Sequence, residues 1–153
     1  MKKYYAYQHS PIGLIEICTN ESVLLSVDFV EKKQSSAANP PLILENAYQQ
    51  LQEYFRAERK TFDLEVALDG TDFQKKVWNG LRDIPYGEVW SYKKLATNIG
   101  NEKAVRAVGN ANSKNLISII IPCHRVIGAN GTLTGYAGGL DRKKWLLEHE
   151  KSI

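Results

Sequence analysis

The first thirty residues are patterned with a period of two. Tyr5, Tyr7 and His9 alternate with smaller or polar residues, Pro11-Ile12-Gly13 interrupts, Leu14 to Cys18 follows, Thr19-Asn20-Glu21-Ser22 is polar, and Val23 to Val30 is a further β-rich run. Such alternation, punctuated by turn residues, predicts a hairpin or a three-stranded meander over Tyr4 to Val30. Lys32 to Pro41 is a polar connector. Leu44, Ala47, Tyr48, Leu51, Tyr54 and Phe55 then recur at spacings of three and four, which puts them on one face of a helix whose other face carries Glu45, Gln49, Gln52 and Arg56. Thr61 to Leu68 reads as a returning strand, and Asp69-Gly70 ends it.

A second unit is expected from Thr71. Thr71 with Gln74 three residues on is a capping-box pattern, so a helix is predicted from Phe73 to about Leu81, broken by Pro85-Tyr86-Gly87. Ser91 to Ile99 predicts a second helix, Gly100-Asn101 a turn, and Glu102 to Asn112 a third helix. Two short helices about a tight glycine turn make a helix-turn-helix pattern. Leu116 to Ile121 is a buried apolar run that stops at Pro122-Cys123-His124-Arg125-Val126. A glycine-dense loop from Gly128 to Gly139 leads into a closing helix, Asp141 to Glu150, with Trp145 and His149 on one face. The expected class is therefore α+β: a small strand-rich α/β domain over residues 1–70 and a helical, winged-helix-like domain over residues 71–153.

Composition narrows the choice only slightly. A chain of 153 residues, 43% hydrophobic, suits one domain or two small ones. A net charge of +3 is compatible with nucleic acid but does not argue for it. No apolar run reaches membrane-spanning length and no hydrophobic leader follows the basic N-terminus, so the chain reads as cytoplasmic, without a membrane partner. Cys18 and Cys123 read as free thiols. With His9, His124 and His149 scattered, no metal site or cofactor is expected.

Cys123 is the candidate nucleophile, set against the reading that a buried cysteine is a small inert core residue. Its proline-led position gives it His124 as a base and Arg125 as a positive neighbour, either of which lowers the cost of a thiolate. The two side chains can cooperate only in a turn, in a helix or through a water, because neighbours in a strand face opposite ways. Cys18 sits among Ile15 and Ile17 and reads as structural. On the third predicted helix, Val105 and Val108 mark a buried face, Lys103, Arg106 and Asn110 a polar one, and Ala104, Ala107, Gly109 and Ala111 lie between. That pattern fits a solvated helix with small filler residues, or a recognition helix whose backbone comes very close to DNA.

Ile121-Pro122-Cys123-His124-Arg125-Val126 resembles the signature of the O6-alkylguanine-DNA alkyltransferases. The similarity runs from Phe73 to Glu150 through Ser91-Tyr92, Arg106-Ala107-Val108-Gly109, Asn115, Tyr136-Ala137-Gly138-Gly139 and Trp145 to Glu150. The first half resembles the family only in length and element order. The resemblance implies that Cys123 is the alkyl acceptor, that His124 is a general base acting through water, and that Glu150 orients it. It makes Asn115 the brace of the turns around the site and places Tyr92 against the flipped guanine and its 3′ phosphate. Arg106 would fill the gap the base leaves, with Lys103, Ala104, Ala107 and Gly109 along the DNA. Backbone groups of Val126 and Ala137 would read the guanine edge and Tyr136 would line the pocket. The implied partner is duplex DNA containing O6-alkylguanine, with O4-alkylthymine a further substrate, and the protein would act as a monomer. A subset of relatives with tryptophan in place of the cysteine only binds damaged DNA; this chain keeps Cys123.

Three other readings compete. A non-catalytic damaged-DNA-binding protein would leave Cys123 inert. A Cys-His hydrolase would use Cys123, His124 and Glu150 without Arg106. A repressor would use Lys103, Arg106 and Asn110, but the helix is short of base-reading side chains.

Overall fold

The computed structural model describes residues 2–152, so the expected outer limits at residues 1 and 153 fall outside the described residues. The chain divides into two compact units, Met1–Leu68 and Asp69–Ile153. With a small antiparallel sheet in the first and helices dominating the second, the class is α+β.

In the first unit β1 (Tyr4–Ser10), β2 (Gly13–Thr19) and β3 (Leu24–Val30) form an antiparallel meander in chain order. Gly13 closes the first turn at φ 118°. The Asn20 carboxamide holds the second by accepting from the Ser22 and Val23 amides, both at 2.8 Å. One sheet face buries Ile15, Ile17, Leu24 and Val27, and α1 (Leu42–Phe55) buries Leu44, Ala47, Leu51 and Tyr54. Tyr48, expected in that stripe, is exposed. The stripe runs 44, 47, 51, 54, and Tyr48 lies one position, about 100°, past Ala47.

Residues 61–68 do not form the expected strand. They make a single bridge, Val66 to Leu24. The reason is competition for the backbone: the Gln50 side chain takes both the amide and the carbonyl of Asp63, at 2.9 and 3.1 Å, which a ladder would need.

In the second unit α2 (Asp72–Leu81) starts at the expected capping box, with Thr71 Oγ1 accepting from the Gln74 amide and Gln74 Oε1 from the Thr71 amide. Ser91 caps α3 (Tyr92–Asn98). Gly100, at φ 81°, ends it: its amide donates to Thr97 and that of Asn101 to Ala96, a Schellman closure that only a residue tolerant of left-handed backbone makes cheaply. α4 (Val105–Ser113) begins three residues later than expected, because residues 102–104 are spent leaving the turn, with the Ala104 amide on Asn101. Lys103 and Ala104 therefore precede the helix. Its buried face is Val108, Ala111 and Asn112, while Val105 is only half-buried. Trp78 Nε1 donates to the Ala111 carbonyl at 2.8 Å and ties α2 to α4.

The apolar run is buried from Ile117, Leu116 being 48% exposed. It is folded as turns, with Ile119 at φ 72°. β4 (Trp90–Ser91) and β5 (Val126–Ile127) pair in parallel, and α5 (Leu140–His149) closes the unit with Trp145 stacked on His149 at 4.7 Å. No helix among the described residues is long and apolar enough to cross a membrane.

Candidate active site

Pro122 ends the turns and the chain enters one 3-10 turn, Cys123–Arg125, so Cys123 and His124 are not thrown to opposite faces as they would be in a strand. All three residues are buried. His124 Nε2 lies 2.8 Å from Glu150 Oε2. An ionised carboxylate only accepts, so the proton of a neutral imidazole sits on Nε2, leaving a lone pair on Nδ1, which is buried without a protein partner. Burial lowers the pKa of His124 more than Glu150 raises it, which keeps the ring neutral.

Glu150 is held on two sides. Arg125 grips it bidentately, Nε to Oε1 at 2.8 Å and Nη2 to Oε2 at 3.1 Å, while Arg125 Nη1 donates to the Ile84 carbonyl at 2.7 Å. Burial pushes the Glu150 carboxyl up, but the His124 hydrogen bond and the Arg125 pair outweigh it and bring the pKa down to about 2. The expectation that Arg125 lowers the cost of a Cys123 thiolate is thus corrected. Its charge is matched by Glu150, and burial pushes the Cys123 thiol up, opposed by a hydrogen bond from the Asn115 side chain and by the charge of Lys143.

Lys143 is the residue the pattern alone did not single out. It is fully buried, and its Nζ donates to the carbonyls of Val126 and Thr134, tying β5 to the glycine-dense loop. Burial lowers its pKa to about 8, with the Cys123 thiolate pulling the other way. A signal was present: Lys143 shares the buried stripe of α5 with Leu146 and Leu147, and Glu150 continues the same spacing at the helix C-cap, so two charges sit where apolar residues are expected.

Asn115 stitches the preceding turns. Its Nδ2 donates to the carbonyls of Ile121 and Ile117, and its Oδ1 accepts from the Ile117 amide. Val126 gives its amide to the Cys123 carbonyl. Tyr136 is half-buried, and its phenol is pushed well above its ordinary range by burial and then by the charge of Cys123. Ala137 is exposed in the loop. Tyr92 is half-buried at the start of α3 and pairs its hydroxyl with Thr134. Lys103, Arg106 and Ala107 are exposed.

Gly109 is not demanded by the fold. A Cβ there would stand 3.7 Å from the Tyr92 ring, an ordinary contact. A helix-interior glycine costs roughly 0.5–1 kcal/mol relative to alanine. Gly109→Ala is therefore expected to raise thermal stability while weakening duplex DNA binding, if the bare backbone serves close approach. Unchanged DNA affinity in the more stable variant, by fluorescence titration, would assign the glycine no such role.

A cavity of about 460 Å³ in the first unit, lined by Tyr5, Tyr7, Leu44 and Tyr48, holds none of these residues. Among the described residues no cluster of three or more His, Cys, Asp or Glu is placed to hold a metal.

The second unit is thus a helix-turn-helix domain built around a buried thiol–imidazole–carboxylate group. Residues 72–152 match the DNA binding domain of 6-O-methylguanine DNA methyltransferase, and residues 3–68 match its ribonuclease-like domain. The chain belongs to the 6-O-methylguanine DNA methyltransferase family. It is 52% identical to the methylated-DNA–protein-cysteine methyltransferase of Methanosarcina acetivorans, covering 97% of this chain and 99% of that protein. It is 46% identical to the constitutive enzyme of that name from Bacillus subtilis, over 97% and 95%. Among solved structures it resembles the Mycobacterium tuberculosis O6-methylguanine methyltransferase, with a TM-score of 0.88, 46% identity and coverage of 99% and 94%. It also resembles the Mycobacterium tuberculosis OGT in complex with DNA, with a TM-score of 0.87, 49% identity and coverage of 97% and 92%.

Proposed function

We propose that this protein is a DNA repair alkyltransferase that takes the alkyl group from O6 of guanine in duplex DNA onto Cys123. The observation that carries the chemistry is the buried His124, next to Cys123 in one 3-10 turn, bonded to Glu150 through Nε2 at 2.8 Å and with Nδ1 buried without a protein partner. His124 takes the thiol proton through a water. Sγ attacks the alkyl carbon, the carbon–O6 bond breaks, a thioether forms, and the departing guanine receives a proton. Tyr92 steadies the charge developing on the base. Because the thioether has no hydrolytic exit, each molecule turns over once. O4-alkylthymine presents the same kind of bond and is a second substrate.

The reacting carbon lies inside the base stack, so the nucleotide is flipped out, at a cost of a few kcal/mol. α4 enters the minor groove with Ala107 and Gly109 against the backbone and Lys103 and Ala104 beside them, and Arg106 occupies the gap in the stack. Asn115 holds the site's turns, while backbone groups of Val126 and Ala137 and the Tyr136 ring receive the base. The protein acts as a monomer. The division of labour is between residues 1–70, which are structural, and residues 71–153, which bind and react.

The test is the intact mass of the protein after incubation with duplex DNA carrying O6-methylguanine. One added methyl group is expected, on the peptide containing Cys123, and never more methyl transferred than protein present. No mass change, or turnover with excess substrate, would overturn the reading. Arg106→Ala separates flipping from chemistry: transfer from duplex DNA is expected to fall while transfer from free O6-benzylguanine stays near the unsubstituted rate. An equal fall with both substrates would end the flipping role for Arg106.

A further inference from the structure

Asn112 is a buried amide on the inner face of α4, 3% exposed, in the turn of the helix next to its C-terminus. Its Nδ2 lies 3.4 Å from the Cys123 carbonyl, the oxygen that also receives the Val126 amide. Its Oδ1 is buried with no protein partner. A leucine would fill a similar volume without the cost of an unmatched polar atom, so packing does not account for an amide there. The same helix presents Arg106 to solvent six residues earlier, about 9 Å along the axis. One rigid element therefore carries the side chain proposed to enter the DNA at one end and a grip on the nucleophile's own peptide near the other.

We propose that Asn112 is a positioning residue that registers Cys123 against α4, so that the thiol stands where the helix delivers the extruded base. This rests on the alkyl transfer and base flipping proposed above. The Cys123 amide is fixed separately, on the Ile121 carbonyl at 2.8 Å, and the backbone on that side is braced by Asn115. Neither of those bonds reaches α4. Among the described residues, Asn112 supplies a side-chain hydrogen bond from α4 to the Cys123–Arg125 turn, and its loss frees the turn to shift against the helix while the His124–Glu150–Arg125 network stays whole.

That separation gives a split between substrates. A base held by DNA arrives at a place set by α4, so a displaced thiol meets it badly. A free base settles in the pocket around the thiol wherever the pocket has moved. Asn112→Leu is expected to slow transfer from duplex O6-methylguanine DNA by at least about tenfold. Transfer from free O6-benzylguanine should stay within about threefold, and duplex affinity, measured in a Cys123→Ser background, should not change. Asn112→Ala is the second variant should leucine fail to fold, and melting curves report the fold of both. An equal loss with both substrates would make Asn112 a merely structural residue, and unchanged duplex transfer would remove its role; either overturns the proposal. Failure of the unsubstituted protein to transfer from duplex DNA would instead sink the alkyltransferase reading itself, so the two failures are told apart in one experiment.

Discussion

Cys123→Ala is expected to abolish alkyl transfer completely while leaving duplex DNA affinity intact. Alanine has no lone pair to attack carbon, and no other group in the site replaces it. His124 is bonded to Glu150 through Nε2, Lys143 spends its Nζ on the Val126 and Thr134 carbonyls, and the Tyr136 phenol is held far above the range in which it would ionise. The second thiol offers no fallback. Cys18 is buried within the sheet of the first unit, its pKa raised by burial. Removing one sulfur from a site 4% exposed leaves a small void, at about 1 kcal/mol, so the variant should fold. Cys123→Ser fills the void better and should be equally inactive, because its hydroxyl ionises far less readily than a thiol. The measurement is label incorporated from alkylated duplex DNA, alongside a binding titration. Label retained on Cys123→Ala would place the acceptor elsewhere.

Much of this arrangement is legible in the sequence, for physical reasons that differ from one element to the next. The meander, α1 and the capping box at Thr71 follow from local periodicity and local hydrogen bonding, which a sequence states directly. The start of α4 does not, because the turn that follows Gly100, with the Ala104 amide on the Asn101 carbonyl, takes up residues 102–104, which are otherwise good helix formers. Residues 61–68 look like a strand, yet the Gln50 side chain claims Asp63, a partner thirteen residues away that no local pattern reveals. In the site, Cys123 and His124 were visible as a motif and Glu150 entered only through family resemblance. The charge assignment failed where it depended on distance: Arg125 is adjacent to the thiol in sequence but bound to Glu150, while Lys143, twenty residues on, supplies the positive field. From the sequence Asn112 is only the end of a predicted helix, because nothing in its spacing tells that its amide reaches the nucleophile's carbonyl.

Glu150→Gln is expected to cost both rate and acid stability, by one cause. The carboxylate is buried, accepts from His124, and pairs with Arg125 through two oxygens. An amide cannot stabilise a developing imidazolium as a carboxylate does, so transfer should slow by about 10²- to 10⁴-fold with both duplex and free-base substrates. It also leaves the Arg125 guanidinium with the Ile84 carbonyl and the Tyr86 ring but no counter-charge, a loss of about 3–5 kcal/mol. The pH dependence follows from the carboxyl itself. Its pKa drops from 4.5 to about 2 on folding, so its stabilisation is fully present above pH 4.5 and is lost as the pH falls toward 2. At 1.36 kcal/mol per pH unit that is about 3 kcal/mol. The unsubstituted protein should therefore lose stability steeply between pH 4.5 and 2 in denaturant melts, and Glu150→Gln should start lower and show a shallower fall across that interval. An acid limb of the same slope in both proteins would mean that Glu150 is not the carboxylate that titrates, and a transfer rate that survives the substitution would remove it from the relay with His124.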